Sequence, residues 1–399
     1  MDFEWWMAVV GLALLFDFYN GMNDAANSVA TVIATRVLRP MQAVALAAVM
    51  NLVGPFVLGL AVAATVGSGI IEPSIITTAV IAGAVLGGTV TTALATWLGL
   101  PISVSHSLIG GLIGAGIAAG GIPAIQLPTR AETVPILELA IGGALVGALV
   151  FYLAAAFARG RNLSAPTAAG AVVCSTGAMI WGVWSGFIKM SGLTKTLVFI
   201  VYSPIIGFGA AFVLGTLILR FVRNAEPRNA NRWFRRLQLV SASAYSLSHG
   251  TNDAQKTMGV ITALLIANGV VQIGEAGDFP VPTWVIISAA TAMGLGTLIG
   301  GFRVIRTLGH RLTHLEPHQG FTAETSSALV LFGMADLGVP VSTTHSITGA
   351  ILGVGSTKSV RAVRWGVARH IILAWILTIP LSATVAFLVE RAIRMVVPG

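Results

Sequence analysis

Charged residues are scarce in this sequence. They make up 10% of 399 residues, while hydrophobic residues make up 55%. An ordinary soluble domain carries about a quarter charged residues, so water is not the main solvent for this chain. Cysteine is nearly absent: a single Cys174 excludes an intramolecular disulfide and any multi-cysteine metal site, and it reads as a small core residue. The N-terminus lacks a basic stretch and begins instead with Asp2 and Glu4, which argues against a cleaved secretory signal. Ten-residue segments of alternating polarity, the mark of a transmembrane barrel, are missing too.

What is present is a succession of long apolar runs, such as 75–99, 137–157 and 193–219, each long enough to cross about 30 Å of hydrocarbon as a helix. The pattern predicts an all-α polytopic membrane protein with about twelve crossings, near 5–35, 41–66, 74–98, 102–120, 135–157, 165–188, 193–219, 237–268, 282–302, 320–338, 341–356 and 366–392. The net charge of +8 does not indicate nucleic acid, because the basic residues fall between the apolar runs. With both termini outside, seventeen Lys and Arg lie in inner loops, among them Arg36, Arg39, Arg159, Arg161 and six arginines within 220–236, against five in outer loops. This is the positive-inside bias of an inserted protein. Acidic Glu72, Glu132, Glu275 and Asp278 fall in the outer loops.

The chain also repeats itself. Asn20-Gly-Met-Asn23-Asp24-Ala25 matches His249-Gly-Thr-Asn252-Asp253-Ala254, 229 residues later, and Pro101-Ile-Ser103-Val-Ser105-His106-Ser107 matches Pro340-Val-Ser342-Thr-Thr344-His345-Ser346, 239 residues later. Each motif moves by seven crossings, an odd number, so the copies should have inverted topology and share a site near the bilayer midplane, with broken or re-entrant helices. The expected division is a first repeat over 1–157, connecting helices and a basic cytoplasmic linker over 158–236, and a second repeat over 237–399. The arginine-rich 220–236 stretch reads as a solvated loop.

Asp24 and Asp253 lie inside apolar spans, where a central carboxylate costs about 2.5 to 3.5 kcal/mol on insertion scales and needs partners. Asn20, Asn23, Asn27, Thr251 and Asn252 surround them with oxygen donors suited to a hard cation such as Na⁺. Asn20-Gly21 also reads as a helix stop with Asn23 or Asp24 capping a new helix, so a break in the span is expected. Pro101 and Pro340 sit at natural first-turn positions. The hydroxyls after them, Ser103, Ser105, Ser107, Ser342, Thr343, Thr344 and Ser346, with free N–H groups and the positive end of the helix dipole, suit a tetrahedral oxyanion, as do the amides Asn23 and Asn252. Two carboxylates and a doubly charged anion together demand accompanying cations, which favours symport over a bare channel. Lys256, Glu324, His106 and His345 are candidates for gating or ion relay. The Ser-His neighbours do not make a hydrolase, since adjacent helical residues point about 100° apart and no G-x-S-x-G elbow is present. Glycines 110, 111, 114, 116, 349, 353 and 355 read as close helix-packing positions.

Gly21-Met-Asn23-Asp24-Ala-Ala-Asn27, Ser248-His-Gly-Thr-Asn252-Asp253-Ala-Gln-Lys256-Thr-Met-Gly259 and Pro340-Val-Ser-Thr-Thr-His345-Ser resemble the inorganic phosphate transporter family over nearly the whole chain, in its bacterial form. The resemblance implies cation-coupled uptake of inorganic phosphate at the cytoplasmic membrane, Na⁺ or H⁺ as coupling ion, no prosthetic group, inverted repeats and a homodimer. It places ion coupling on Asp24 and Asp253 and phosphate on the Ser/Thr clusters. Two departures stand out: Asn51 occupies a place where animal-type members carry Glu, with Glu324 in the corresponding place of the second half, and Ala254-Gln255-Lys256 departs from Ala25-Ala26-Asn27. A channel, or a symporter for another oxyanion such as sulfate, is the alternative.

Overall fold

The computed structural model describes residues 4–157, 164–274 and 279–396; Arg159, Arg161, Glu275 and Asp278, four of the charges used to orient the chain, lie outside them. The described residues form fourteen α-helices: α1 Trp5–Ala34, α2 Pro40–Val53, α3 Ala61–Ser68, α4 Thr78–Leu98, α5 Val104–Gly120, α6 Arg130–Phe157, α7 Ser164–Trp184, α8 Gly192–Phe221, α9 Pro227–Ala267, α10 Thr283–Ile299, α11 Phe302–Arg306, α12 Pro317–Asp336, α13 Thr343–Ser356 and α14 Trp365–Val396. Extended pairing among them is limited to one bridge between Ile71 and Ile125. In hydrocarbon a helix satisfies its own backbone polar groups, which is why apolar sequence takes this form.

By length and composition, five of these helices suffice to cross a membrane, α1, α4, α8, α14 and the 130–150 part of α6, or seven spans if two bent pairs are each counted as one. The helix through 227–267 is long but too polar to pass such a test, because it carries the basic 228–236 stretch and the Asn-Asp motif. The stretch expected to cross at 41–66 is bent: Pro40–Phe56 and Ala61–Ser68 meet at 80°, just after Gly54-Pro55, where proline removes a donor and stops the helix. Similarly, Thr283–Ile299 and Phe302–Arg311 meet at 61° across Gly300, whose φ of +70° ends the first segment.

The break expected at Asn20-Gly21 is absent, and α1 and α9 run unbroken through both Asn-Asp motifs. These glycines serve close approach instead. A Cβ on Gly21 would lie 2.1 Å from Met293 O of α10, and one on Gly250 would lie 2.4 Å from Asn51 O of α2. The motif helices stay whole, and the helices packed against them are the broken ones. Two further expectations change. Helix α9 begins at Pro227, so most of the basic 220–236 stretch is helical and the loop proper is short. Cys174 is half-buried on α7 and not in the core.

Packing is reciprocal between the halves. Helix α5 lies along α14, and α13 lies along α8. Cβ atoms on Gly110 and Gly114 would meet Ile379 O and Ala383 O, and Cβ atoms on Gly349 and Gly353, 239 residues later, would meet Pro204 O and Phe208 O. Meanwhile α6 and α7 pack chiefly on each other, and Leu137, Ile141, Leu145 and Leu149 of α6 remain exposed, as suits a lipid-facing hairpin.

Two apolar clusters flank a polar band. One holds Val9 to Phe16 of α1 with Ala254 to Leu265 of α9, and the other holds Ala26 to Val32 of α1 with Ala242 and Tyr245 of α9. Between them the two long helices bring their Asn-Asp motifs together. Because a Cβ at Gly110 or Gly349 would sit 2.6 or 2.2 Å from a carbonyl oxygen, Gly110→Ala and Gly349→Ala are each expected to destabilise the protein by about 1–3 kcal/mol. Gly142→Ala, in open space, should leave detergent thermal stability unchanged; equal melting of all three would contradict this packing.

Candidate functional site

At the crossing of α1 and α9, Asp24 and Asp253 are both buried and share a histidine that the sequence reading did not single out. His249 Nε2 lies 3.1 Å from Asp253 Oδ2 and 3.8 Å from Asp24 Oδ2. Its Nδ1 lies 3.1 Å from Asn51 Oδ1, which fixes the ring in this orientation, and Asn51 in turn donates to Thr297 Oγ1 at 2.9 Å. One ligand atom from each of Asp24, His249 and Asp253 falls within a common 4.8 Å. The signal was available in the sequence: His249 stands one turn before Asp253, at i,i+4, which puts both on one helix face.

Lys256, one turn the other way, pairs with Asp253 and donates to Ser105 Oγ at 2.5 Å and to Val341 O at 2.9 Å. Asn27 Nδ2 donates to Thr344 Oγ1 at 2.9 Å, and Thr344 Oγ1 donates to Ile102 O at 3.1 Å. The contact from position 27 or 256 to a hydroxyl is made twice, while the two equivalent entry carbonyls are reached by different groups, Val341 O by Lys256 and Ile102 O by Thr344. Positions 27 and 256 are equivalent by the first offset, and 105 and 344, like 102 and 341, by the second. In one copy the link is an amide, in the other an ammonium. Thr344 also reaches Asp24 Oδ1 at 3.3 Å, and Thr343 Oγ1 donates to Asp253 Oδ2 at 2.9 Å, so the start of α13 touches both carboxylates.

The half-helices α5 and α13 begin as the hydroxyl-rich motifs require. Ser103 and Ser342 are their N-caps, accepting from His106 N at 3.3 Å and His345 N at 3.2 Å. Pro101 and Pro340 therefore lie just outside the helices and not in the first turn as the sequence reading had it. They lead an extended entry whose carbonyls Ile102 O and Val341 O receive the cross-links.

Several residues singled out from sequence have hydrogen-bond partners other than Asp24 and Asp253, with the Oδ1 atoms of Asn20, Asn23 and Asn252 left unpartnered. Asn20 donates to Asp17 Oδ1 at 3.0 Å, Asn23 to Thr96 Oγ1 of α4 at 2.8 Å, and Asn252 to Ser248 O and Leu331 O, both at 3.0 Å. Thr251 bonds Gly54 O at 2.7 Å, holding the break after α2. Ser107 meets Thr92 at 2.9 Å, and Ser346 is buried without a side-chain partner. Glu324 forms a separate polar layer, accepting from Thr31 at 2.6 Å, Gln238 at 3.0 Å and Ser241 at 2.5 Å. His106 and His345 pack edge-to-face at 4.5 Å, with His345 stacked on Trp375 at 3.7 Å. They border an apolar cavity of about 980 Å³ between α7, α8, α13 and α14.

The assembled centre thus joins Asp24, Asn27, His249, Asp253, Lys256, Ser105, Thr343 and Thr344. Oxygen donors and one ammonium meet where two helix N-termini converge, an arrangement that suits a cation beside an oxyanion. Lys256 lowers by one the negative charge counted from sequence alone.

The sequence matches the phosphate transporter family over residues 20–386. It is 41% identical over 391 residues to a probable low-affinity inorganic phosphate transporter of Rhizobium meliloti (strain 1021), covering 98% of this chain and 97% of that one. It is 34% identical over 390 residues to a protein of the same description from Bacillus subtilis (strain 168), with 97% of each covered. Among solved structures, the sodium-dependent phosphate transporter superposes with a TM-score of 0.69 at 22% identity, covering 98% of this chain and 99% of that chain, a likeness of fold. With the matching motifs at the crossing of α1 and α9, this multi-pass membrane protein belongs to the phosphate transporter family.

Proposed function

We propose that the protein imports inorganic phosphate by cation symport, with Na⁺ as the coupling ion, through alternating access of two inverted repeats. The observation that carries this reading is the convergence of both Asn-Asp motifs with both half-helix N-termini on one buried centre. Phosphate would be held by the N–H groups and hydroxyls at the starts of α5 and α13, Ser105, Thr343 and Thr344 foremost, with Lys256 supplying positive charge. The cation would be held by Asp24 and Asp253 with the oxygens of Asn27 and the threonines. Support for Na⁺ comes from the oxygen donors of Asp24, Asp253, Asn27 and the threonines and from the name of the structural relative, a sodium-dependent phosphate transporter.

The electrostatics ask for a co-ion. With His249 neutral, two carboxylates against one lysine leave a net negative site, and a phosphate dianion adds further negative charge in a medium where charges are weakly screened. A cation arriving with the anion removes that penalty, and neither travels well alone. Reciprocal packing of α5 on α14 and α13 on α8 supports two matched moving units, the arrangement that inverted repeats provide. The chain is read as a homodimer in the cytoplasmic membrane with both termini outside. No catalytic role is assigned to the Ser-His pairs: His106 and His345 face each other.

Labelled phosphate uptake into proteoliposomes under separately imposed Na⁺ and H⁺ gradients tests the reading, with accumulation expected under an inward Na⁺ gradient. Accumulation driven only by protons would replace the coupling ion, uptake without any gradient would mark a channel, and stronger uptake of sulfate would replace the substrate. Asp24→Asn and Asp253→Asn should each reduce gradient-driven accumulation to background in folded protein; wild-type accumulation in either would remove that residue from coupling. Ser105→Ala and Thr344→Ala should each raise the phosphate KM by about tenfold or more, the loss expected for a hydrogen bond to a charged group. An unchanged KM in both would return these hydroxyls to ordinary helix packing.

A further inference from the structure

A second acidic layer lies on α1, two turns before the Asp24 centre. Asp17 is fully buried, and among the described residues it enters no ion pair. Asn20 Nδ2 donates to its Oδ1 at 3.0 Å, and the Thr257 hydroxyl of α9 lies beside the same carboxylate. Three oxygens in this pocket, Asp17 Oδ2, Asn20 Oδ1 and Thr257 Oγ1, have no hydrogen-bond partner, and all three side chains are at most 3% exposed. Buried polar atoms are ordinarily satisfied, and two orphaned acceptor oxygens with a threonine hydroxyl beside them need an explanation. A charged carboxylate so placed is costly unless a cation joins it or it takes up a proton.

We infer that Asp17, Asn20 and Thr257 form a second cation site, selective for a monovalent ion and taking Na⁺. One negative charge surrounded by neutral oxygens matches an ion of charge +1, whereas Ca²⁺ sites recruit several carboxylates and Mg²⁺ sites carboxylates with waters or phosphates. Its position gives it a role. Positions 17, 24 and 31 of α1 face α9 in successive layers, where Asp17 meets Thr257, Asp24 meets His249 and Asp253, and Thr31 meets Glu324 beside Ser241. Seven residues separate each layer, about 10 Å along a helix. The Asp17 site is thus one step from the central pair, on the N-terminal side of α1, and serves as a station for a coupling ion before or after it. This rests on Na⁺ being the coupling ion. It also assigns Asn20 to Asp17 instead of Asp24.

Equilibrium binding of ²²Na⁺ to the purified full-length protein decides the matter, with Na⁺-dependent melting as a second readout. Asp17→Asn should bind one Na⁺ fewer per chain than the wild type. Thr257→Val, which keeps the charge and removes one donor, should weaken one class of Na⁺ sites by about tenfold and reduce the Na⁺-induced rise in melting temperature. Should Asp17→Asn fail to purify as folded protein, Thr257→Val decides alone. Unchanged ion count and affinity in the folded variants would show Asp17 to be a neutral, hydrogen-bonded acid and overturn the inference, as would a wild type that binds no Na⁺. Failure of the coupling reading looks different: Na⁺ still bound at Asp17, with phosphate uptake indifferent to a Na⁺ gradient.

Discussion

The site depends on one buried ammonium. Lys256 is 3% exposed, and all three of its donors are used: on the Asp253 carboxylate, on Ser105 and on Val341 O. A lysine in apolar surroundings without such partners would be neutral or expelled. Here the partners come from three parts of the chain, so a single charge fixes α9, the start of α5 and the entry to α13 relative to one another. The same charge makes Asp253 tolerable at that depth. Removing one member of such a pair leaves the other buried and uncompensated, the costly case for interior ion pairs.

Much of this was legible in the amino-acid sequence. Long apolar runs located most of the helices to within about five residues, the polar start of α9 at Pro227 and the bend after α2 excepted, because in hydrocarbon periodicity and length are nearly all that is needed. The duplicated motifs also identified Asp24, Asp253 and the hydroxyl-rich helix starts. The breaks were not legible in the right place. Asn20-Gly21 carries a stop signal in local terms, but Gly21 and Gly250 are needed for contact with α10 and α2, and tertiary packing overrides the local preference. His249 and Asp17 were missed for a related reason. Neither is repeated in kind in the other copy, and their importance arises from what α1 and α9 bring opposite them.

The two copies share geometry but differ in charge. Asn27 and Lys256 occupy equivalent places and make equivalent contacts, with Thr344 and Ser105. One offers its neighbouring aspartate no ammonium, and the other supplies one. Asp24 is therefore the less tightly engaged carboxylate, with His249 at 3.8 Å, while Asp253 holds Lys256 and, at 3.1 Å, His249. The motif copies thus match in position but differ in charge, and the buried Glu324 layer adds a further acid on one side only.

The reciprocal packing also bears on how the chain assembles. Helix α13 finds α8 already made, but α5, whose Gly110 and Gly114 fit only against α14, is complete at residue 120 while α14 starts at 365. At about 5–20 residues per second of synthesis, the glycine-lined face of α5 stays uncovered for about 10–50 s. During that interval the first hydroxyl-rich helix packs chiefly on α4, with the glycine face that α14 will cover still open.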